Sequence, residues 1–283
     1  MKVEGICKLC NINKKLEESH ITPKFISRWI KKTSATGRLR GLGNPNIPFQ
    51  DGKKQYLLCS DCEDKFSKYE TWFANNFFHP SISGVKITYE YNEMLFKFVA
   101  SLFWRSLVVN IDRKVYDESS FKQQMINCEI ELRQFLNKEI FPTDFNEMYI
   151  GMTSFIVNAP KEIRGANFFF TRMIDTQVLF TDKVSYFYCL IPYFIFVGNI
   201  AGIESNNFPN SKVNPIGGKF LTTQMTLKDP NVSSFITKRL LDIENTNISD
   251  AQNKIIEDMI LSNIEKYSNS QSFIAHFLDN TSL

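Results

Sequence analysis

The chain has 283 residues, of which 43% are apolar and 22% are charged, and its formal net charge is +3. This length and composition exclude a disordered or low-complexity chain and leave one large globular domain or two ordinary ones. The charge is uneven, because residues 1–56 carry twelve basic and four acidic side chains, a net +8 that leaves −5 for the other residues. A basic N-terminal part predicts an anionic partner, with nucleic acid as the first candidate.

Two cysteine pairs with two-residue spacing, Cys7 with Cys10 and Cys59 with Cys62, lie in the first quarter of the chain. Four thiolates in two close pairs can supply a complete tetrahedral shell for Zn²⁺. No charged segment followed by an apolar stretch opens the sequence, so we expect a cytoplasmic protein and a metal site, not disulfides. Structural zinc would supply folding free energy to a unit with little apolar burial of its own.

The segment between the cysteine pairs predicts one short helix and one long loop. Lys24–Lys32 has apolar residues on one helical face and basic residues around the rest. Residues 36–54 are rich in Gly, Pro and Asn, which is typical of a loop. The basic side chains of this segment are predicted to contact nucleic-acid phosphates; they are Arg28, Lys31, Lys32, Arg38 and Arg40.

The second cysteine pair is predicted to open a helix. Ser60 and Glu63 match a capping box, with Ser60 as N-cap and Glu63 three residues later. The apolar spacing continues toward Asn76, and His79 before Pro80 predicts the end of this helix.

The rest of the chain predicts a mixed helix and strand region. Helices are expected at residues 90–109, 119–137, 232–243 and 250–267, and strands at 148–158, 167–171, 176–180, 185–191, 194–198 and 218–226. Residues 186–203 form an uncharged, mostly apolar run that is long enough to suggest a membrane span. Pro192 and Gly198 interrupt it, so two buried strands fit better and no membrane association is expected.

These patterns predict an α+β fold in which an N-terminal treble-clef zinc module, residues 1–85, precedes a larger mixed α/β region, residues 86–283. Sequence alone assigns no role to the second region. It is a candidate surface for a protein partner or for assembly into a homo-oligomer.

The first cysteine pair, a His-Ile-x-Pro stretch beginning at His20 and the second cysteine pair together resemble the HNH, or ββα-metal, endonuclease family in its zinc-stapled form, over residues 5–75. The resemblance implies hydrolysis of phosphodiester bonds. His20 matches the family's general base, and a divalent ion, Mg²⁺ or Mn²⁺, would stabilise the developing charge.

The chain departs from the family pattern at the expected metal ligands. Ser19 stands where the family usually has a metal-binding Asp or His, and Phe66 occupies the usual place of the last ligand, four residues after the final cysteine. The family's Asn before the second pair has no clear counterpart. Glu18 and Glu63 are therefore the candidate contacts to a catalytic metal, and Asp51 or Glu70 could add oxygen ligands.

Three functions follow from these patterns. The first is an HNH-like nuclease of bacterial type that acts on DNA or RNA, with a role in defence suggested by the proteins that carry such modules. The second is a non-catalytic zinc module that binds nucleic acid or protein, with the function residing in the C-terminal region. The third is an enzyme whose active site lies wholly within residues 90–283.

Overall fold

The computed structural model describes residues 3–41, 43–84, 87–158, 160 and 163–281. Within them the strands are β1 (Val3–Ile6), β2 (Asn13–His20), β3 (Leu39–Gly41), β4 (Asn44–Phe49), β5 (Lys54–Cys59), β6 (Thr88–Asn92), β7 (Met148–Met152), β8 (Asp175–Phe180), β9 (Ser185–Ile191), β10 (Phe194–Ala201) and β11 (Gly217–Leu221). The helices are α1 (Lys24–Lys32), α2 (Ser60–Phe73), α3 (His79–Ile82), α4 (Glu93–Asn110), α5 (Lys122–Lys138), α6 (Ala166–Arg172), α7 (Pro230–Glu244), α8 (Asp250–Leu261), α9 (Ile264–Ser268) and α10 (Gln271–Asn280). These elements confirm the predicted mixed α/β class.

The N-terminal unit is a three-stranded antiparallel sheet with helix α2 packed against it. Strand β2 lies in the centre, between β1 and β5. Helix α2 follows β5 without a loop, and its buried face presents Phe66, Tyr69 and Phe73 at helical spacing. The four cysteines therefore lie in a compact strand-and-helix unit.

The predicted capping box at the start of α2 is wrong. Strand β5 runs directly into the helix, so the N-cap is Cys59, and its side chain makes no capping bond. Ser60 is then the first helical residue and Glu63 the fourth, one position beyond the reach that a capping box needs.

The predicted end of that helix is also wrong. A π-helical turn, Ala74–Phe78, joins α2 to α3 with no break. Pro80 is tolerated because it occupies the first turn of α3, where its missing N–H matters least.

Further elements differ from the sequence prediction, and the strands predicted at 148–158 and 218–226 end at Met152 and Leu221. Residues 36–54 contain the antiparallel pair β3–β4, in which Leu39 lies opposite Phe49. Residues 167–171 belong to helix α6, not to a strand, because the Asp279 carboxylate accepts hydrogen bonds from the backbone N–H groups of Asn167 and Phe168. This long-range cap satisfies the free donors of a helix N-terminus and overrides the strand propensity of a Phe-rich run. The helix predicted at 250–267 is divided into α8 and α9.

The C-terminal region is built on a four-stranded antiparallel sheet in the order β7-β10-β9-β8. Alternate residues of β9 and β10 face opposite sides and both sides are buried, which explains the long uncharged run. One side joins the core around α4, whereas the other packs with Phe235 and Leu240 of α7. Residues 186–203 are thus the predicted strand pair, and none of the helices described here is long and apolar enough to cross a membrane.

One apolar core extends from the N-terminal unit into the C-terminal sheet. The Phe73 ring of α2 stacks on Phe98 of α4, with ring centroids 4.0 Å apart, and lies 5.1 Å from Phe194 of β10. Both sides of the expected boundary at residue 85 contribute to this core. The division of the chain at that position stays a prediction.

Candidate metal centre and the adjacent histidine

The four paired cysteines come together at one end of the N-terminal sheet. Cys7 and Cys10 lie on the tight turn after β1, where the N–H of Asn11 donates to the carbonyl of Cys7. Asn11 closes this turn with φ +59°, a left-handed conformation that Asn tolerates better than most residues. Cys59 ends β5, and Cys62 lies in the first turn of α2.

The geometry of the cluster fits one tetrahedral metal ion. The four Sγ atoms lie within 4.8 Å of one another, and those of Cys10 and Cys59 are 3.9 Å apart. Zinc–thiolate bonds of about 2.3 Å in a tetrahedron would place the sulfur atoms roughly 3.8 Å apart. The cluster is therefore compatible with a zinc site, and only small shifts would close it.

Hydrogen bonds within the cluster shift the pKa values of its thiols. A hydrogen bond from the Cys62 thiol lowers the pKa of Cys7 to about 4, although burial opposes the shift. The same hydrogen bond and burial raise the pKa of Cys62. The backbone N–H of Cys59 also donates to the Cys7 sulfur at 3.3 Å. This environment stabilises negative charge on sulfur, which is the form that binds metal.

His20 stands at the last position of β2, at the end of the strand away from this cluster, with its side chain 15% exposed. Its Nε2 lies 2.9 Å from Oδ1 of Asp51. Partial burial acts to raise the pKa of the Asp51 carboxyl, but hydrogen bonds from His20 and Lys54 hold it well below its usual range. Asp51 is therefore ionised, so His20 Nε2 donates to its carboxylate.

Three carboxylates near His20 are held by cations. Lys54 lies opposite His20 in the strand register and pairs with both Glu18 and Asp51, at 3.1 and 3.0 Å. Glu70 of α2 pairs with the buried Arg105 of α4 at 2.9 Å. Burial nevertheless raises the pKa of Glu70, because it outweighs the attraction of Arg105.

Glu63 differs from these carboxylates. Its Oε1 atom is buried and has no hydrogen-bond partner among the described residues. The charges of Glu63 and His20 both act on Glu70, which lies two turns further along α2. Among the described residues, the cysteine cluster is the one place where three or more Cys, His, Asp or Glu side chains converge on a common point.

The basic residues predicted to contact nucleic acid separate into two groups. Arg28, Lys32 and Arg38 are exposed. Lys31 is half-buried and donates to the carbonyl of Gln50, while Arg40 turns inward, where it donates to the carbonyl of Pro45.

Sequence reasoning missed the contact that orients His20 and the arginine behind it. Asp51 was a candidate metal ligand, and its pairing with His20 depends on a loop 31 residues away. Arg105 donates to the carbonyl of His20 at 2.8 Å from a helix 85 residues further on. The one local signal for Arg105 was a single charge in an otherwise apolar run of α4.

No known protein family, characterised protein or solved structure matches this chain. The HNH resemblance therefore rests on the cysteine spacing and on the His-Ile-x-Pro stretch that begins at His20.

Proposed function

We propose that this protein is an HNH-like nuclease that hydrolyses phosphodiester bonds of DNA or RNA, with His20 as the general base. The hydrogen bond between His20 Nε2 and Asp51 carries the proposal, in a small sheet whose other end holds the four-cysteine cluster. In this assignment Cys7, Cys10, Cys59 and Cys62 bind one structural zinc ion in a treble-clef module. Strands β1, β2 and β5 with helix α2 supply the strand-and-helix frame for it.

The chemistry assigned to His20 follows from its partner. The ionised Asp51 fixes the proton on Nε2 and stabilises the positive charge that forms when Nδ1 takes a proton from water. The hydrogen bond from Arg105 to the His20 carbonyl holds the end of the strand in place. His20 is thus oriented from both its side chain and its backbone.

A divalent ion, Mg²⁺ or Mn²⁺, would stabilise the charge on the phosphate and on the leaving oxygen. We assign Glu18 and Glu63 as its protein contacts. The buried Oε1 of Glu63 without a partner supports this role, whereas Glu18 would first have to leave Lys54. Arg28, Lys32 and Arg38 would contact the phosphate backbone, with Lys31 and Arg40 at the margin of that surface.

Substitution of His20 tests the proposal. Purified protein supplied with Mg²⁺ or Mn²⁺ should nick plasmid DNA or cleave RNA, and His20→Ala and His20→Asn should lower the rate about 10²–10⁴-fold, the usual contribution of a general base. Zinc content should stay unchanged, because His20 is not one of the four residues assigned to bind zinc. His79→Ala, at an exposed position on α3, is the matched control and should cleave like the wild type. Cleavage at the wild-type rate in both His20 variants would contradict the assignment of His20 as the general base.

One observation favours a second candidate, a non-catalytic zinc module that binds nucleic acid or protein. Glu18, Asp51 and Glu70 are all held by Lys54 or Arg105, so the part of the chain that the structure describes offers no ready set of free carboxylates to His20. Salt-dependent nucleic-acid binding without cleavage, in the presence of either metal, would favour this candidate.

A further inference from the structure

A cavity of about 770 Å³ lies between the N-terminal unit and the C-terminal region. Its walls come from the β3–β4 pair, the end of α4, helix α6, strand β8 and helix α7. This volume is within the usual range for small-molecule sites, which are about 300–1,000 Å³. The cavity is therefore large enough for a ligand of nucleotide size.

The charged side chains that line the cavity are mostly cationic. Asp175 is its one carboxylate, and the cationic side chains are Arg40, Lys53, Arg113, Arg172 and Arg239. Five positive charges and one negative charge give a net charge of +4. Like charges that share a partly enclosed space repel one another, so an anion bound there would be stabilising.

Arg172 is the most constrained of these cations, with 5% of its surface exposed. It donates to the Thr33 hydroxyl at 2.6 Å and to the Ile30 carbonyl at 2.7 Å, and its guanidinium lies 5.0 Å from the ring centre of Trp29. Burial lowers the pKa of Arg172 to about 10, so it is still charged at neutral pH. A buried charge whose partners are all neutral is costly, and an anion in the cavity would offset that cost.

Two other arginines of the lining also have neutral partners. Arg113 donates to the side-chain oxygen of Asn110, and Arg40 to Gln252 as well as to its own hairpin. Among the described residues none of these three arginines has a carboxylate within ion-pairing distance. Arg239 is the exception, since it pairs with Asp175 at 2.8 Å and with Asp242 at 3.3 Å.

The cavity also has an apolar wall. Phe49 of β4 and Phe168 of α6 both line it and are each 41% exposed, which leaves aromatic surface open to a ligand. The Tyr116 ring lines it too, but its hydroxyl donates to the carbonyl of Val178. Cationic and aromatic surfaces together match a molecule with both anionic and planar organic parts.

We propose that this cavity binds a small organic molecule carrying two or more phosphate groups, with Arg40, Arg113 and Arg172 as the phosphate contacts. The inference does not depend on nuclease activity, because neither His20 nor the cysteine cluster takes part in it, and Arg113 and Arg172 lie outside the proposed nucleic-acid surface. A nucleic-acid strand is the less favoured occupant, since Arg172 lies too deep to reach the backbone of a duplex.

Isothermal titration calorimetry on the full-length zinc-loaded protein tests the proposal. The probes are ATP, inorganic pyrophosphate, adenosine and a short single-stranded oligonucleotide, in buffer without divalent ions. We expect saturable binding of ATP near one per chain, weakened by added salt, and no binding of adenosine alone. A higher affinity for ATP than for pyrophosphate would show that the aromatic wall contributes to binding. Equal affinities would show that the phosphate groups are sufficient, and both results support the proposal.

Substitutions locate the binding site. Arg113→Ala removes an exposed side chain with one neutral partner, and should raise the dissociation constant about tenfold, as expected for a lost charge-assisted hydrogen bond. Arg172→Gln should weaken binding at least as much, and circular dichroism would check that it folds; if it does not, Lys53→Ala takes its place. Arg164→Ala, an exposed arginine outside the cavity, should bind like the wild type.

Three results would overturn the proposal. One is the absence of saturable binding by both ATP and pyrophosphate. Another is ATP binding that Arg113→Ala and the second variant leave unchanged. The third is binding of the oligonucleotide alone that is lost in the same variants, which would make the cavity part of a nucleic-acid path. The readout is ATP binding in buffer without divalent ions, so failure of the nuclease assignment would not be mistaken for failure here.

Discussion

At the scale of single residues, the His20–Asp51 contact joins the last residue of β2 to the loop before β5. Asp51 also accepts from the backbone N–H of Gly52, so its carboxylate is fixed on both sides. A methyl group added at Gly52 would lie 3.8 Å from the His20 ring, an ordinary contact. Charge and hydrogen bonding at Asp51, more than close packing, thus hold the imidazole.

Asp51→Asn should destabilise the fold by about 1 kcal/mol at pH 5, because it replaces a charged acceptor by a neutral one. The pKa of the Asp51 carboxyl is lowered in the fold, so its contribution to stability is present above the unfolded value of about 3.9 and is lost as pH falls toward the lowered pKa. The difference between variant and wild type, measured by urea unfolding, should therefore be smaller at pH 3 than at pH 5.

Acid releases zinc from thiolate ligands, and this would add a change in stability between the two pH values. Both proteins should therefore be compared as metal-free samples at pH 3 and at pH 5. Asp61→Asn is a suitable control, since Asp61 is an exposed carboxylate on α2 that pairs with Lys14 alone. A destabilisation by Asp51→Asn that is the same at pH 3 and pH 5 would contradict the ionic role of Asp51.

At the scale of elements, the metal centre ties together two pieces of backbone that other contacts join only weakly. The turn after β1 and the start of α2 meet at the cluster, where the N–H of Lys8 also donates to the carbonyl of Leu57. A hydrogen bond from the Cys62 thiol to the Cys7 sulfur also crosses this junction. A bound metal ion would replace that hydrogen bond with four bonds to both elements.

Cys7→Ser and Cys62→Ser should each abolish stoichiometric zinc binding, because three thiolates do not complete the shell. They should also lower the melting temperature by many degrees, since structural zinc contributes folding free energy directly. Zinc is measured by mass spectrometry of the purified protein. Cys128→Ala, a buried cysteine outside the cluster, should keep its zinc and lose about 1 kcal/mol of stability. Full zinc content in either serine variant would argue against the four-cysteine site.

Local periodicity predicts a helix or strand correctly where tertiary contacts favour the same conformation as the local sequence. Helix α1 and strand β9 occur at their predicted residues, because amphipathic spacing and a bounded apolar run each favour one conformation. Helix α6 could not be predicted, since its N-terminal donors are satisfied by Asp279, more than a hundred residues away. The β3–β4 pair could not be predicted, because the Gly, Pro and Asn residues around Leu39 are typical of a loop although Leu39 itself is buried.

The residues of the candidate site also divide into those that local sequence predicts and those that depend on tertiary contacts. Cysteine spacing is a local signal, so the four thiols could be identified from sequence, and their convergence agrees with it. Partners such as Asp51 for His20, or Arg105 for Glu70, depend on tertiary contacts that leave no pattern in the chain. The cationic cavity is a tertiary feature as well, because its arginines come from four separate elements or loops.

At the scale of the whole molecule, Arg105 links the two parts of the chain. It lies on α4 with 3% of its side chain exposed, and it contacts the Glu70 carboxylate, the carbonyl of His20 and the Phe66 ring. All three partners belong to the N-terminal unit. A single side chain of the C-terminal region thus supports the helix and the strand that frame the candidate site.

Arg105→Met should destabilise the protein by about 3–5 kcal/mol, because it leaves Glu70 buried without its cation. Combining it with Glu70→Gln should restore much of the loss, since the double variant buries no unpaired charge. Urea unfolding of the four proteins gives the coupling between the two sites. Lys14→Met, in an exposed ion pair, should leave the unfolding midpoint near that of the wild type. Additive effects of the two substitutions would show that the buried pair is not an energetic unit.

The aromatic stack that joins the two parts of the core has a consequence for synthesis on the ribosome. Phe194 is made 121 positions after Phe73, the ring it finally packs against. At about 5–20 residues per second, the Phe73 ring waits roughly 6–24 s for Phe194, although Phe98 of α4 can cover part of it sooner. The four cysteines are complete before that interval begins, so metal uptake can order the nascent N-terminus while it waits for its partner strands. Zinc supply during translation would then decide how much of the newborn chain escapes aggregation.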